Sequence, residues 1–212
     1  MKAIRILLLF SISIISISAF AQLEVQIGAG GLFGSLNEIY SIEPQNPETY
    51  GETTIRPYVS GLVENSLSDA WSIRARVVGV KRSDKLFDVG TRPKRYYFFD
   101  VTYLDIGAEI QWKPTPMIGV SVGPYYAINL RERFRVGNDS SKLFVDLYDN
   151  FVAIRPALEV LLGSLVARLD ASIGLSPAQR YNHMSDTGEP YGKLSRYWNS
   201  ASLGLSYRLI KA

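Results

Sequence analysis

From Leu23 onward, apolar and polar positions alternate with a period of two, the pattern of strands that hide one face only. Eight such segments follow one another. They run over 23–33 (Leu23, Val25, Ile27, Ala29 and Phe33 on one face), 54–64 (Ile55, Val59, Val63), 70–82 (Trp71, Ile73, Ala75, Val77) and 96–112 (Leu104, Ile106, Ala108, Ile110, Trp112). The second four run over 117–130 (Ile118, Val120, Val122, Tyr126, Ile128), 150–162 (Val152, Ile154, Leu158, Val160, Leu162), 165–176 (Leu165, Ala167, Leu169, Ala171, Ile173, Leu175) and 195–210 (Tyr197, Ala201, Leu203, Leu205, Tyr207, Leu209). Each is as long as a tilted membrane-crossing strand of ~9–11 residues, or somewhat longer.

The connections alternate in length. Asn65–Asp69, Lys113–Pro116 and Gly163-Ser164 are short, whereas the stretches starting near Gly34, Ser83, Arg131 and Pro177 are long. Eight antiparallel strands then place every short turn at one end and every long loop at the other, which is the sidedness of outer-membrane barrels.

The segment before Leu23 reads as an export signal. Lys2 and Arg5 precede an apolar stretch from Ile6 to Phe20, and Ala19-Phe20-Ala21 followed by Gln22 fits small-x-small cleavage. The expected organisation is a signal peptide over 1–21 and one barrel domain over 22–212. Two of the 23 basic residues, Lys2 and Arg5, leave with the signal, so 21 face 20 acidic ones. That balance removes the case for a nucleic-acid partner. Without cysteine there is neither a disulfide framework nor a thiolate metal site. No later segment approaches 18 consecutive apolar residues, so a membrane crossing after the signal has to be a closed barrel, in which every backbone group is paired.

Lipocalin-like soluble barrels alternate too, and the placement of charge separates the two cases. Opposite the apolar faces stand Arg74, Arg76, Asp105, Glu109, Arg155, Glu159, Arg168 and Asp170, with Arg208 on the last strand. Between them come Gly28, Gly30, Gly119, Ser121, Gly123, Ser172, Gly174, Ser200, Ser202 and Gly204. Small residues beside long charged ones suit the narrow lumen of eight strands, which side chains fill. Those eight charges are the expected lumen network. Gly163-Ser164 suits a two-residue type II′ turn, which pairs Leu162 with Leu165 and sets Glu159 opposite Arg168, both inward, with Asp170 within reach of Arg155.

Aromatic residues gather toward both ends. Trp71, Trp112 and Tyr207 lie near the short turns, and Tyr97, Phe99, Tyr126, Phe151 and Tyr197 near the long loops, as two interfacial belts would. Together with the signal ending Ala-Phe-Ala-Gln, the opening Leu23-Glu-Val-Gln-Ile-Gly-Ala-Gly-Gly and the closing Ser202-Leu-Gly-Leu-Ser-Tyr-Arg-Leu, the mature chain resembles the small outer-membrane β-barrels of OmpA/OmpX type. The resemblance implies an all-β, eight-stranded, antiparallel up-and-down transmembrane barrel in the bacterial outer membrane. It also implies contact with outer-membrane lipid and lipopolysaccharide, and handling by the barrel assembly machinery, with Tyr207 the aromatic residue nearest the C-terminus.

Chemistry is sparse. Gly28-Ala-Gly-Gly31 lies within a strand and opens no helix, so it does not read as a phosphate loop. One histidine and no cysteine leave no metal-ligand spacing. His183-Met-Ser185 resembles the His-x-Ser of lipid A 3-O-deacylases. That likeness implies Ser185 as nucleophile, His183 as base and Glu189 as orienting acid, provided the seventh strand continues outward in phase. Pro177 interrupts it, and Asp186 stands where those enzymes usually have Asn. The first long loop holds Glu38, Glu43, Glu48 and Glu52 and no base, and the second holds Lys85, Arg92, Lys94 and Arg95. A protein or glycan partner would meet the barrel there. The sequence therefore leads to a non-enzymatic integral barrel with a structural or surface-interaction role and no cofactor. A lipid A esterase and a soluble ligand-binding barrel are its alternatives.

Overall fold

A computed structural model of the chain describes residues 23–40, 54–87, 96–136, 139–143, 148–184 and 190–211. The export segment, Ser185 to Glu189, and the loop charges Glu43, Glu48, Glu52, Arg92, Lys94 and Arg95 lie outside the described residues. The strands are β1 (Leu23–Tyr40), β2 (Thr54–Ser66), β3 (Trp71–Phe87), β4 (Tyr96–Thr115), β5 (Ile118–Val136), β6 (Asp139–Leu143), β7 (Phe151–Leu162), β8 (Leu165–Gly174), β9 (Gln179–Met184) and β10 (Pro190–Lys211). Neighbours pair antiparallel in the order β1-β2-β3-β4-β5-β7-β8-β10, and β10 pairs back onto β1. Eight strands therefore form a closed barrel. β6 is a short addition to β5, and β9 a short addition to β10.

Every apolar face assigned from the alternation points outward. Ile55 (66% exposed), Leu169 (52%) and Leu205 (61%) stand on the exterior, whereas Arg74 and Glu159 (1% each) are buried within. A water-soluble barrel has the opposite arrangement, since large apolar patches do not face water. A band of exposed aliphatic residues around a closed sheet is the surface that lipid covers.

The strands run further than the hydrophobic pattern marks. Its first long loop begins at Gly34, but β1 continues to Tyr40, so Glu38 is a strand residue. β3 reaches Phe87 and takes in Lys85, and β10 starts at Pro190. Backbone pairing needs no lipid, so ladders such as Phe87↔Tyr96 and Tyr40↔Leu194 rise past the apolar band. Beyond that band no lipid selects an apolar face, and the alternation in the sequence lapses.

Local chemistry explains the breaks. In the two-residue turn, Gly163 has φ 66° and no described non-glycine residue has positive φ. That makes the turn type II′, because type I′ needs positive φ at both central positions. Proline, which has no N–H to donate, sits where ladders are interrupted. β4–β5 pairing is missing between Gly107↔Tyr125 and Ile110↔Val122, around Pro124. β7–β8 pairing is missing between Ile154↔Ile173 and Ala157↔Asp170, beside Pro156.

Candidate functional site

Two zones of buried side chains lie inside the barrel. The zone nearer the short turns is a continuous charge network, and its members sit on the inward faces of β2, β3, β4, β7 and β8. At its lower end the Lys113 ammonium donates to Glu64. The Arg74 guanidinium then donates Nε to Glu64 Oε2 (2.8 Å) and Nη1 to Glu159 Oε1 (2.7 Å). Gln111 Nε2 donates to the other Glu159 oxygen (2.8 Å). Arg168 holds three carboxylates at once: Glu159 (2.5 Å), Glu109 through two nitrogens (2.7 and 2.9 Å), and Asp170 through Nε (3.2 Å). Arg76 donates to Asp170 (3.2 Å). Arg155 bonds Asp105 (2.7 Å) and lies 3.6 Å from Asp170. Arg82 clamps Asp105 with both terminal nitrogens (3.0 and 2.7 Å).

All eight charges read from the sequence meet here, and Glu159 stands directly opposite Arg168 in the β7–β8 register. Four further members belong to the same network: Lys113, Glu64, Gln111 and Arg82. Arg82 was legible, because it shares the even-numbered face of β3 with Arg74 and Arg76. Glu64 was legible by the same rule on β2. Both sit where the apolar pattern gives out. Arg208 pairs separately with Glu24 (2.9 Å).

The zone nearer the long-strand end is apolar and aromatic. Leu32, Val78, Val80, Val101, Tyr103, Tyr125, Phe151 and Trp198 form one buried cluster with Tyr148 and Ala178. Phe151 packs edge-on against Tyr103 (5.3 Å between centroids) and Tyr125 (6.2 Å). This corrects the expected position of Phe151 in an outer aromatic belt. It is fully buried, because it is in phase with Ala153 and Arg155 on the inward face of β7. The Arg82 guanidinium lies 4.9 Å from the Tyr103 centroid and 5.2 Å from that of Phe151, joining the two zones by cation–π contact. Two connecting segments close over the cluster. Asp149 N donates to Ala178 O (2.7 Å), and Ala178 N to Arg196 O (2.8 Å).

β1 and β10 supply the slim side of the lumen. Tyr58 lies flat against the backbone of Gly30 and Gly204, where an added Cβ would come within 2.7 and 2.0 Å of its ring and hydroxyl. The crevice beside it, reaching Gln26, Ser60, Arg76 and Ser206, has room for about one water. Outside, Trp71 pairs with Trp112 (6.4 Å) near the short turns, with Tyr207 exposed at the same end.

Lys81, Arg56, Ser83 and Asp100 meet where β2, β3 and β4 leave the apolar band. Asp100 Oδ2 lies 2.8 Å from Lys81 Nζ, and Arg56 Nη2 is 3.6 Å from Asp100 Oδ1. The chain around His183 does not extend β8 directly. β8 ends at Gly174, and β9 resumes at Gln179 with His183 paired to Gly192. Ser185 and Glu189, which the His-x-Ser resemblance implies as nucleophile and orienting acid, lie outside the described residues. Among the described residues no group of His, Asp or Glu is placed to hold a metal ion.

No family profile matches the chain, and no curated protein matches it. Solved structures do. The outer membrane protein OprG of Pseudomonas aeruginosa superposes with TM-score 0.52 at 11% identity, over 89% of this chain and 96% of that one. The attachment invasion locus protein Ail of Yersinia pestis gives TM-score 0.45 at 8% identity, over 89% and 99%. AlkL, another outer membrane protein, gives 0.41 at 15%, over 88% and 90%. The likeness is one of fold.

Proposed function

We infer an integral outer-membrane barrel from a fold shared with the small eight-stranded outer-membrane β-barrels and from a band of exposed apolar residues around the exterior. We propose that it is a non-conducting, non-enzymatic barrel whose interior is a structural plug and whose working surface is the long-strand end. The observation that carries this reading is the unbroken chain of contacts through the lumen. It runs from Lys113 and Glu64 through Arg74, Glu159, Arg168, Asp170 and Arg155 to Asp105 and Arg82, and the aromatic cluster sits above it. A solute crossing the barrel would have to part buried ion pairs, each leaving uncompensated charge in a dry site. The strands that rise past the apolar band give the outer end a rigid base on which connecting segments can meet a protein or glycan partner.

Liposome swelling tests the plug. Vesicles containing the folded barrel, placed in isosmotic solutions of small sugars, should swell no faster than empty vesicles. Swelling at the rate given by a general porin would remove the proposal.

A further inference from the structure

The sheet closes where β1 meets β10, and that pairing joins the first described strand to the last. Every other pairing in the wall links strands close in sequence, so this one closes the longest loop and meets the largest entropic penalty. If it parts, two strand edges turn unpaired N–H and C=O groups toward lipid.

Side chains fasten this seam from inside. Near the short turns Arg208 of β10 pairs with Glu24 of β1 (2.9 Å), and the Ser206 hydroxyl donates to Gln26 Oε1 (3.0 Å) across 180 residues of sequence. The next tie comes from a third strand. Gly30 of β1 has Tyr58 of β2 as its partner on one side and Gly204 of β10 on the other. Tyr58 is buried, and its ring crosses the inner face of β1 where Gly30 has no side chain. A Cβ on Gly30 would lie 2.7 Å from the ring Cε1, and one on Gly204 would lie 2.9 Å from Cζ and closer still to the hydroxyl. One ring therefore covers both strands of the seam. The Arg76 guanidinium lies over the same ring, 5.9 Å from its centroid, and is itself bonded to Asp170 of β8 (3.2 Å). Tyr58 thus touches the seam and the charge network at once.

We infer that Tyr58 is a latch: seated over Gly30 and Gly204, it keeps β1 and β10 paired and sets how often the seam opens. The two glycines report on it differently. A Cβ on Gly30 would also strike the β10 backbone, at Gly204 Cα (2.6 Å), so that glycine is required whether or not the ring is present. For Gly204 the nearest obstacle is the ring itself, and the next, Ala29 O, is 3.0 Å away. The inference goes beyond the plug, since it concerns how the wall stays shut and not what crosses the lumen.

Amide hydrogen exchange of the whole barrel in vesicles, resolved by peptide mass spectrometry, tests the latch. Tyr58→Ala should speed exchange of the β1 and β10 amides around Gly30 and Gly204 at least about tenfold, while the β7–β8 hairpin keeps nearly its unmodified rate. Phe151→Ala removes another buried ring, from β7, and should not single out the seam. Gly204→Ala should speed the same seam amides when Tyr58 is present, because the ring has to move. In the Tyr58→Ala background it should add less than about threefold, as coupled positions do once one partner is gone. If Tyr58→Ala does not fold, Tyr58→Leu, which fills the notch at Gly30 but is too short to reach Gly204, gives the same comparison. Faster exchange spread evenly over all strands, unchanged exchange at the seam, or a full Gly204→Ala effect without Tyr58 would overturn the latch.

Discussion

At the scale of single residues, similar charges have very different weights. Arg168 is buried and serves three carboxylates, so its removal strands Glu109, whose other contacts are the Ser121 hydroxyl (3.2 Å) and Arg76 at 3.9 Å. Arg168→Met should cost about 3–5 kcal/mol, measured by urea unfolding in vesicles. Adding Glu109→Gln should recover part of the loss by removing the unpaired charge. Lys81 is 40% exposed in its pair with Asp100, so Lys81→Met should cost under about 1 kcal/mol in the same measurement. Equal losses at the two positions would show that the lumen is wet. Parity along a strand made most of this network legible from the sequence. It identified Arg74, Arg76, Arg155 and Glu159, and extended by one or three more steps it would have reached Glu64 and Arg82. Phe151 shows the opposite failure: nearness to a loop suggested a belt, but phase put the ring inside.

At the scale of elements, strand contacts decide what glycine is for. A Cβ on Gly123 would lie 1.9 Å from Ala108 O, because β5 approaches β4 closely beside Pro124, whereas one on Gly61 would meet nothing within 4 Å. Gly123→Ala should therefore destabilise the barrel by about 1–3 kcal/mol, and Gly61→Ala should be close to neutral. Comparable thermal midpoints for the two variants would contradict the β4–β5 register. The β7–β8 hairpin was the most readable element. Its two-residue turn fixes the pairing by itself, and the pairing fixes Glu159 against Arg168. The upper parts of β1, β3, β5 and β10 were not readable as strands, and neither were β6 and β9. Hydrophobic alternation records where lipid touches the sheet, and these ladders continue where it does not. The bulge at Leu130 was hidden for a related reason. A one-residue shift in pairing leaves no mark in composition, yet it decides which face Arg131, Glu132 and Arg133 present.

At the scale of the whole molecule, the barrel is apolar outside and charged inside. Leu169, midway along β8 and exposed, has Leu158 and Leu203 as its cross-strand neighbours. Leu169→Arg should destabilise the barrel in vesicles by about 2–4 kcal/mol, as a cation near the bilayer midplane does. A water-facing leucine would tolerate the change, so a neutral result would argue against a lipid-covered band. The interior then decides function, because a closed sheet becomes a channel only if its lumen is open. Single-channel recording in planar bilayers tests that most directly. The account predicts insertion without the conductance steps of a wide aqueous pore, because on the proposed reading the Arg168 network and the aromatic cluster plug the lumen. Regular, long-lived steps of porin size from the unmodified barrel would contradict it.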